Sequence, residues 1–321
     1  MTTDSVAATP APRSANAPRG RARWTRWTRW TRSPSALNRL SVVSLIANVL
    51  IVVTGGAVRL TNSGLGCPTW PSCTTASLTP TRAYSFHGII EFTNRQLTFI
   101  VGLLAALTLV AAWRQRRQTR LAAIGLIGIP AQALLGGITV LTDLNPYAVA
   151  GHFLLSMTLI AVYATLMWRL TGGQTIVVPV AAARFTRGIL AITVVVLTIG
   201  TVVTGSGPHA GDLKAGRLHR IHLSASGVSQ LHADAVMVLI GATLGLLAVA
   251  YAVGALERLR RAAGLLLAVE LGQGLIGFTQ YFLHVPPLLV VLHMFGACLV
   301  WLAAVRLVLL VEPAAGIRGA G

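Results

Sequence analysis

Read as a pattern of apolar and polar positions, the chain is eight long apolar stretches separated by short polar breaks. They run at roughly 38–60, 88–113, 121–142, 147–168, 185–205, 227–253, 262–283 and 287–311. Each is near or above the ~20 residues needed to cross ~30 Å of hydrocarbon as a helix. The pattern predicts an all-α membrane protein of eight transmembrane helices. The polar breaks are not alike. Arginines collect in the tail, at 113–120 (Arg114, Arg116, Arg117, Arg120), at 169–187 (Arg169, Arg184, Arg187) and at 254–261 (Arg258, Arg260, Arg261). Eight spans put all four segments on one side. The positive-inside rule makes that side cytoplasmic, with both termini inside. The opposite side receives two long loops, 61–86 and 206–226, and two short turns.

The pattern also repeats. Val52-Val53-Thr54-Gly55, closing the first stretch, returns as Val202-Val203-Thr204-Gly205, closing the fifth. Gln132-Ala133-Leu134-Leu135-Gly136-Gly137 returns as Gln273-Gly274-Leu275-Ile276-Gly277-Phe278, and the distance from Gln132 to His152 equals that from Gln273 to His293. Two halves with an even number of spans share one topology, so the repeat is parallel about an axis along the membrane normal. The expected organisation is a basic tail (1–36), a four-helix half (37–170), a cytoplasmic linker (171–184), a second four-helix half (185–311) and a short tail (312–321).

Composition narrows the class. Of 321 residues, 54% are hydrophobic and only 11% charged, against about 25% charged in an average soluble chain. The formal net charge of +18 is therefore carried by short Arg clusters between apolar runs, not by the polar surface that a nucleic-acid-binding domain needs. A soluble enzyme and a nucleic-acid partner are excluded, and the lipid bilayer is the expected surroundings. Three cysteines exclude a disulfide-dense scaffold and any four-cysteine metal site. The tail carries the triplet Trp-Thr-Arg three times, at 24–32, and reads as a basic segment near anionic lipid.

Ionisable residues inside spans are costly and are functional candidates by default. His152, His232 and His293 each lie five or six residues into the fourth, sixth and eighth stretches, roughly 8–9 Å below the outer surface. Equal depth suits one planar cofactor held between two helices, and two imidazoles from facing helices are a standard way to hold haem iron. A lone membrane histidine is more simply a hydrogen-bonded helix contact. Three at matched depth, two of them related by the repeat, favour ligation. The second stretch carries Asn94 at the equivalent depth.

On that same stretch His87, Glu91 and Asn94 share a face, with Arg95 alongside. Glu91 suits a proton acceptor or electrostatic stabiliser, and equally an i, i+4 ion pair with Arg95; spacing does not choose between them. The first outer loop contains Cys67 and Cys73 on the oxidising face, where a disulfide can persist as a staple or as a redox pair. Cys298 lies within the eighth stretch, where a packed thiol is the default. The second outer loop runs Gly205-Ser206-Gly207-Pro208-His209-Ala210-Gly211-Asp212. His219, His222 and His284 read as solvated loop residues.

Several of these segments together resemble the haem A synthase family, membrane enzymes that oxidise haem O to haem A for terminal oxidases. The resemblance is carried by Val58-Arg59-Leu60-Thr61, Ser63-Gly64-Leu65-Gly66-Cys67-Pro68 and Trp70-Pro71. It is carried equally by Thr204 to Asp212, Glu91 to Arg95, Gln230-Leu231-His232-Ala233-Asp234 and the paired Gln and His helices, and it extends from about 38 to 310. It implies two similar four-helix halves, with haem b held by His232 and His293 in the second. The substrate, haem O, would sit in the first half near Glu91 and His152, both haem sites lying toward the outer face. The other family histidine falls at Asn94, so the substrate iron is held by His152 alone or without axial ligation from the second helix. Arg59, Arg95 and Arg217 are positioned for anionic propionates. The implied reaction turns the C8 ring methyl into a formyl group, with Glu91 assisting at the methyl and Cys67 and Cys73 paired to shape the loop or exchange electrons. Haem O synthase and a quinol or other electron donor are the implied partners. A dihaem b-type electron carrier and a small-solute transporter are the alternatives, and the second is disfavoured because the polar residues cluster near the outer face instead of the bilayer midplane.

Overall fold

A computed structural model describes residues 31, 33–80, 85–212, 220–252 and 257–314. The Trp-Thr-Arg triplets (apart from Thr31), Arg217 and His219 lie outside these residues. The described chain is all-helical apart from two three-residue strands. Its elements are α1 (Pro34–Leu60), α2 (Ser85–Gln115), α3 (Thr119–Leu141), α4 (Pro146–Leu170), β1 (Ile176–Val178), α5 (Val180–Ser206), α6 (Ala225–Ala252), α7 (Glu257–Phe282), α8 (Pro287–Leu310) and β2 (Val311–Pro313). All eight helices are long and apolar enough to cross a membrane.

The helices start and stop where the local chemistry allows. Pro34, Pro146 and Pro287 occupy the first positions of α1, α4 and α8, where a missing N–H costs nothing. Asn145 caps α4 by accepting from the Tyr147 N–H at 3.0 Å. Arg59, Arg114 and Arg169 sit in last turns, against the negative end of the helix dipole. Helices overrun the apolar stretches at their polar ends. α5 starts at Val180, inside the segment expected to be a linker, because Arg184 and Arg187 extend the helix without entering hydrocarbon. Within the rest of that segment, β1 pairs in parallel with β2, Ile176 opposite Val311.

α1 to α4 pack as one closed four-helix group, and α5 to α8 as another. The groups meet along α4, α8, α1 and α5, where the Trp301 indole N–H donates to the Met157 carbonyl at 2.7 Å. One apolar cluster, around Ile160, Tyr163 and Leu166, lies mainly within the first group. Another, around Leu239, Leu266 and Leu307, lies within the second. Large apolar side chains such as Phe99, Leu103, Ile127 and Leu275 point outward, which a lipid surround makes favourable.

The repeat is visible in the backbone. Asp143 and Leu144, in the α3–α4 turn, both have positive φ (50° and 60°), and so do His284 and Val285 (59° and 62°) in the α7–α8 turn. The hydrogen bonds correspond as well. Leu144 N–H donates to Thr139 O and Val285 N–H to Gln280 O, each at 2.7 Å. The two turns are related by the same shift that carries Gln132 onto Gln273. Positive φ is uncommon outside glycine, and for a β-branched valine it is a true outlier. The surrounding contacts hold it: Val285 O accepts from His209 Nε2 at 2.8 Å.

Candidate functional site

Three clusters form at the end of the bundle that carries the two long loops. The first lies between α6 and α8. The His232 and His293 rings stand 6.4 Å apart, centroid to centroid, at 69°. A metal–imidazole bond of ~2 Å on each side, plus about 1 Å from nitrogen to ring centre, spans roughly 6 Å. The pair is thus spaced to hold one metal ion between the rings. The His293 Nδ1 is buried without a partner, and the His232 ring meets the Val196 backbone on α5. Among the described residues no group of three His, Cys, Asp or Glu side chains is placed to hold a bare ion. The donor set is that of a cofactor supplying its own equatorial ligands, such as haem.

Glycines make room for these rings. A Cβ added at Gly200 on α5 or at Gly277 on α7 would stand 3.2 Å from Cε1 of His232 or His293. Gln273 on α7 donates from Nε2 to the His293 carbonyl at 2.6 Å, fastening the α8 turn that carries the ligand.

The second cluster repeats this arrangement in the first half. Gln132 donates to the His152 carbonyl at 3.2 Å and to Ser156 Oγ at 2.6 Å, and a Cβ at Gly136 would stand 3.1 Å from His152 Cε1. His152 Nδ1 is also buried and unpartnered. Asn94, on α2, faces Gly55 and keeps a buried Oδ1 without a donor. Its short amide offers no imidazole nitrogen. The pair that closes around His232 and His293 therefore has a single imidazole counterpart here.

The third cluster is the first outer loop, folded back on α2. Cys67 and Cys73 are joined by a disulfide. Glu91 is buried at 5% exposure, and both of its oxygens are engaged. Oε2 accepts from the Cys67 N–H at 2.6 Å, and Oε1 accepts from Arg95. Arg95 also donates to the carbonyls of Cys67 (2.8 Å), Thr69 (2.9 Å) and Ser72 (3.3 Å). This i, i+4 pair clamps the disulfide loop, and Arg95's donors are turned to backbone carbonyls and Glu91. Glycines on the loop and on α3 permit the close fit. A Cβ at Gly66 would overlap the His87 carbonyl, and one at Gly137 would meet the Trp70 indole at 2.5 Å. His87 Nδ1 and Ser63 Oγ are 2.9 Å apart, so His87 also serves the loop.

Arg59 belongs to none of these clusters. Its Nε donates to His209 O at 2.6 Å and an Nη to Thr204 O at 3.0 Å, while Gly64 N–H donates to Gly211 O at 2.9 Å. The two outer loops, far apart in sequence, are thereby tied together. Gly211, at φ +97°, provides the backbone turn that makes the contact. His222 and His284 are exposed, and Cys298 is buried in the core as a free thiol.

The sequence reading passed over Glu270. It lies midway along α7, 2% exposed, accepting from Thr243 Oγ1 at 2.9 Å with Oε2 unpartnered. Two signals point to it: it is an acid inside a span, and the repeat places it opposite Ile129, three residues before the paired glutamine in each half.

Fold and site together define an integral, multi-pass membrane protein with paired histidines suited to a planar metal cofactor. The chain belongs to the cytochrome oxidase assembly protein family (COX15-CtaA), whose family model matches residues 38–305. It is similar to the heme A synthase of Geobacillus thermodenitrificans, 32% identical over 112 residues, 34% of either chain. The heme A synthase of Geobacillus kaustophilus is 31% identical over 147 residues, 44% of this chain and 45% of the relative. That of Listeria welshimeri is 33% identical over 122 residues, 36% and 40%. The matched stretches thus span less than half the length of these curated relatives.

Proposed function

We propose that this protein is a haem A synthase, oxidising the C8 methyl of haem O to a formyl group. Family membership supports the assignment. The single structural observation that carries it is the His232–His293 pair, spaced to hold one metal ion between them, with glycine on the neighbouring helices. In this reading His232 and His293 would hold haem b, which would supply a one-electron redox centre when bound. His152 holds the substrate haem in the first half (37–170), and the second half (185–311) houses the cofactor. Both sites lie toward the extracytoplasmic face, with both termini cytoplasmic, as the Arg distribution directs.

The protein's own side chains position the reactants. Gln273 and Gln132 fix the backbone of the ligand-bearing turns. Asn94 leaves an amide oxygen free to accept a proton-bearing group of the substrate. Glu91 and Arg95 hold the disulfide loop over α2, and Glu91 is the acid that would assist at the methyl. Two successive hydroxylations, with dioxygen as the oxidant, would each consume one dioxygen, two electrons and two protons and release one water. A quinol or other electron donor would supply the electrons, and loss of water from the resulting hydrate leaves the formyl group. Haem O synthase is the natural source of substrate.

Purification after co-expression with haem O synthase, followed by haem extraction and reverse-phase separation, tests the reading. Haem b together with haem O or haem A is the expected result, and haem A shows that Asn94 is compatible with turnover. Haem b alone would support a dihaem-type electron carrier instead, which the same histidine pair would serve. Absence of haem would overturn both and leave a small-solute transporter.

A further inference from the structure

At the opposite end of the bundle lies a basic cleft that the proposed reaction does not use. Its volume is about 510 Å³, within the range of small-ligand sites. It is bounded by the linker after α4, the first turns of α7 and the last turn of α8. Arg258, Arg261 and Arg306 line it, with Trp168, Gln174 and Leu265, and no acid is part of the lining. Glu257 is shared by Arg260 at 2.7 Å and Arg261 at 2.8 Å, and Glu312 accepts from Thr175 at 3.1 Å. Arg258 and Arg306 have no carboxylate partner among the described residues.

The placement of these groups is specific. Arg306 is the only charged residue of α8, one turn from its end, where a cation must reach toward the interface. Arg258 is held by its bond to the Gln174 carbonyl at 2.8 Å, so its guanidinium is fixed in the wall. Trp168 packs against Gly173, where a Cβ would overlap the indole. An indole at the end of a span is an interfacial anchor. Leu265, 48% exposed, gives the same cleft an apolar wall facing the bilayer. A neighbouring cleft shares Trp168 and Gly173 and adds Arg169 and Leu309.

We propose that this cleft binds the phosphate headgroup of an anionic phospholipid, with Arg258 and Arg306 on the phosphate and the acyl chains lying along Leu265 and Leu309. A guanidinium fork matches phosphate oxygens. Basic pockets between transmembrane helices are known to take such headgroups. A free phosphate would satisfy the arginines but make no use of the apolar wall, and that difference decides the source.

Native mass spectrometry of the full-length protein in detergent, titrated with phosphatidylglycerol or phosphatidylcholine, tests the proposal. Phosphatidylglycerol should bind and phosphatidylcholine should not. Each cation at an anionic surface adds about fivefold in affinity, so Arg258→Gln with Arg306→Gln should weaken binding about thirtyfold. Arg184→Gln with Arg187→Gln, an equal loss of exposed charge elsewhere at the same end, should leave it within threefold. Arg258→Lys with Arg306→Lys should retain part of the binding, which separates ligand contact from misfolding. Equal weakening by both Gln pairs, equal binding of phosphatidylcholine, or thermal stabilisation by inorganic phosphate alone would each overturn it.

Discussion

Replacing Gly277 by alanine sets two opposed effects against each other, and the structure assigns a size to each. Glycine inside a helix costs roughly 0.5–1 kcal/mol relative to alanine, so the substitution favours α7. The added Cβ, however, stands 3.2 Å from His293 Cε1 and 3.7 Å from its Nδ1. Carbon pairs rest near ~3.5–4.0 Å, so the ring must shift by a few tenths of an ångström or the helices must part. Overpacking of this kind costs about 1–3 kcal/mol. Displacing an axial ligand converts even ~1 kcal/mol into about a fivefold loss of cofactor affinity. Gly264 on the same helix is the control, because nothing lies within 4 Å of a Cβ placed there. Gly264→Ala should raise the thermal midpoint and leave haem content unchanged. Gly277→Ala should retain the fold, lose haem b at least fivefold more readily on dilution, and shift the midpoint potential and low-spin spectrum of what remains. Identical haem retention and spectra in the two variants would refute the claim that this glycine exists to seat the histidine.

Cys67→Ser with Cys73→Ser should lower stability by about 2 kcal/mol, the value for a cross-link this short; a larger fall in turnover than in stability would mark the pair as redox-active. Glu91→Gln leaves Arg95 its three carbonyl acceptors but no carboxylate, so it should cost about 3 kcal/mol and make the disulfide easier to reduce, which thiol trapping would detect. Unchanged trapping would mean that Glu91 does not clamp the loop. Glu270→Ile installs the residue that the repeat carries at Ile129 and removes an orphaned oxygen, while Thr243 keeps its bond to Leu239 O. It should therefore raise stability by about 1–3 kcal/mol on denaturation, and a clear loss would show that the acid is structurally required.

The eight spans were legible because hydrocarbon imposes a length and an apolar character that few other contexts demand, and the chain shows both without ambiguity. The repeat was legible for a related reason. Two copies of one packing solution retain similar residues wherever helices touch closely, as at Gln132 and Gln273 or Gly136 and Gly277. Helix ends were less so, since α5 runs outward through Arg184 and Arg187 on polar residues that hydropathy does not register.

Side-chain partnership belonged to the tertiary structure. The sequence offered Glu91 as an acid for chemistry or as half of an ion pair, and both options satisfied the same spacing. Only the folded loop, bringing the Cys67 N–H to one carboxylate oxygen and Arg95 to the other, shows how the pair is used. Arg59 bonds to the carbonyls of His209, on the second outer loop, and Thr204, in the last turn of α5, 150 and 145 positions away. Periodicity along one chain reports which face of a helix a residue occupies. It carries no record of which distant backbone carbonyl meets that face, because that meeting is set by how helices cross and loops close, and it exists only once both halves have packed.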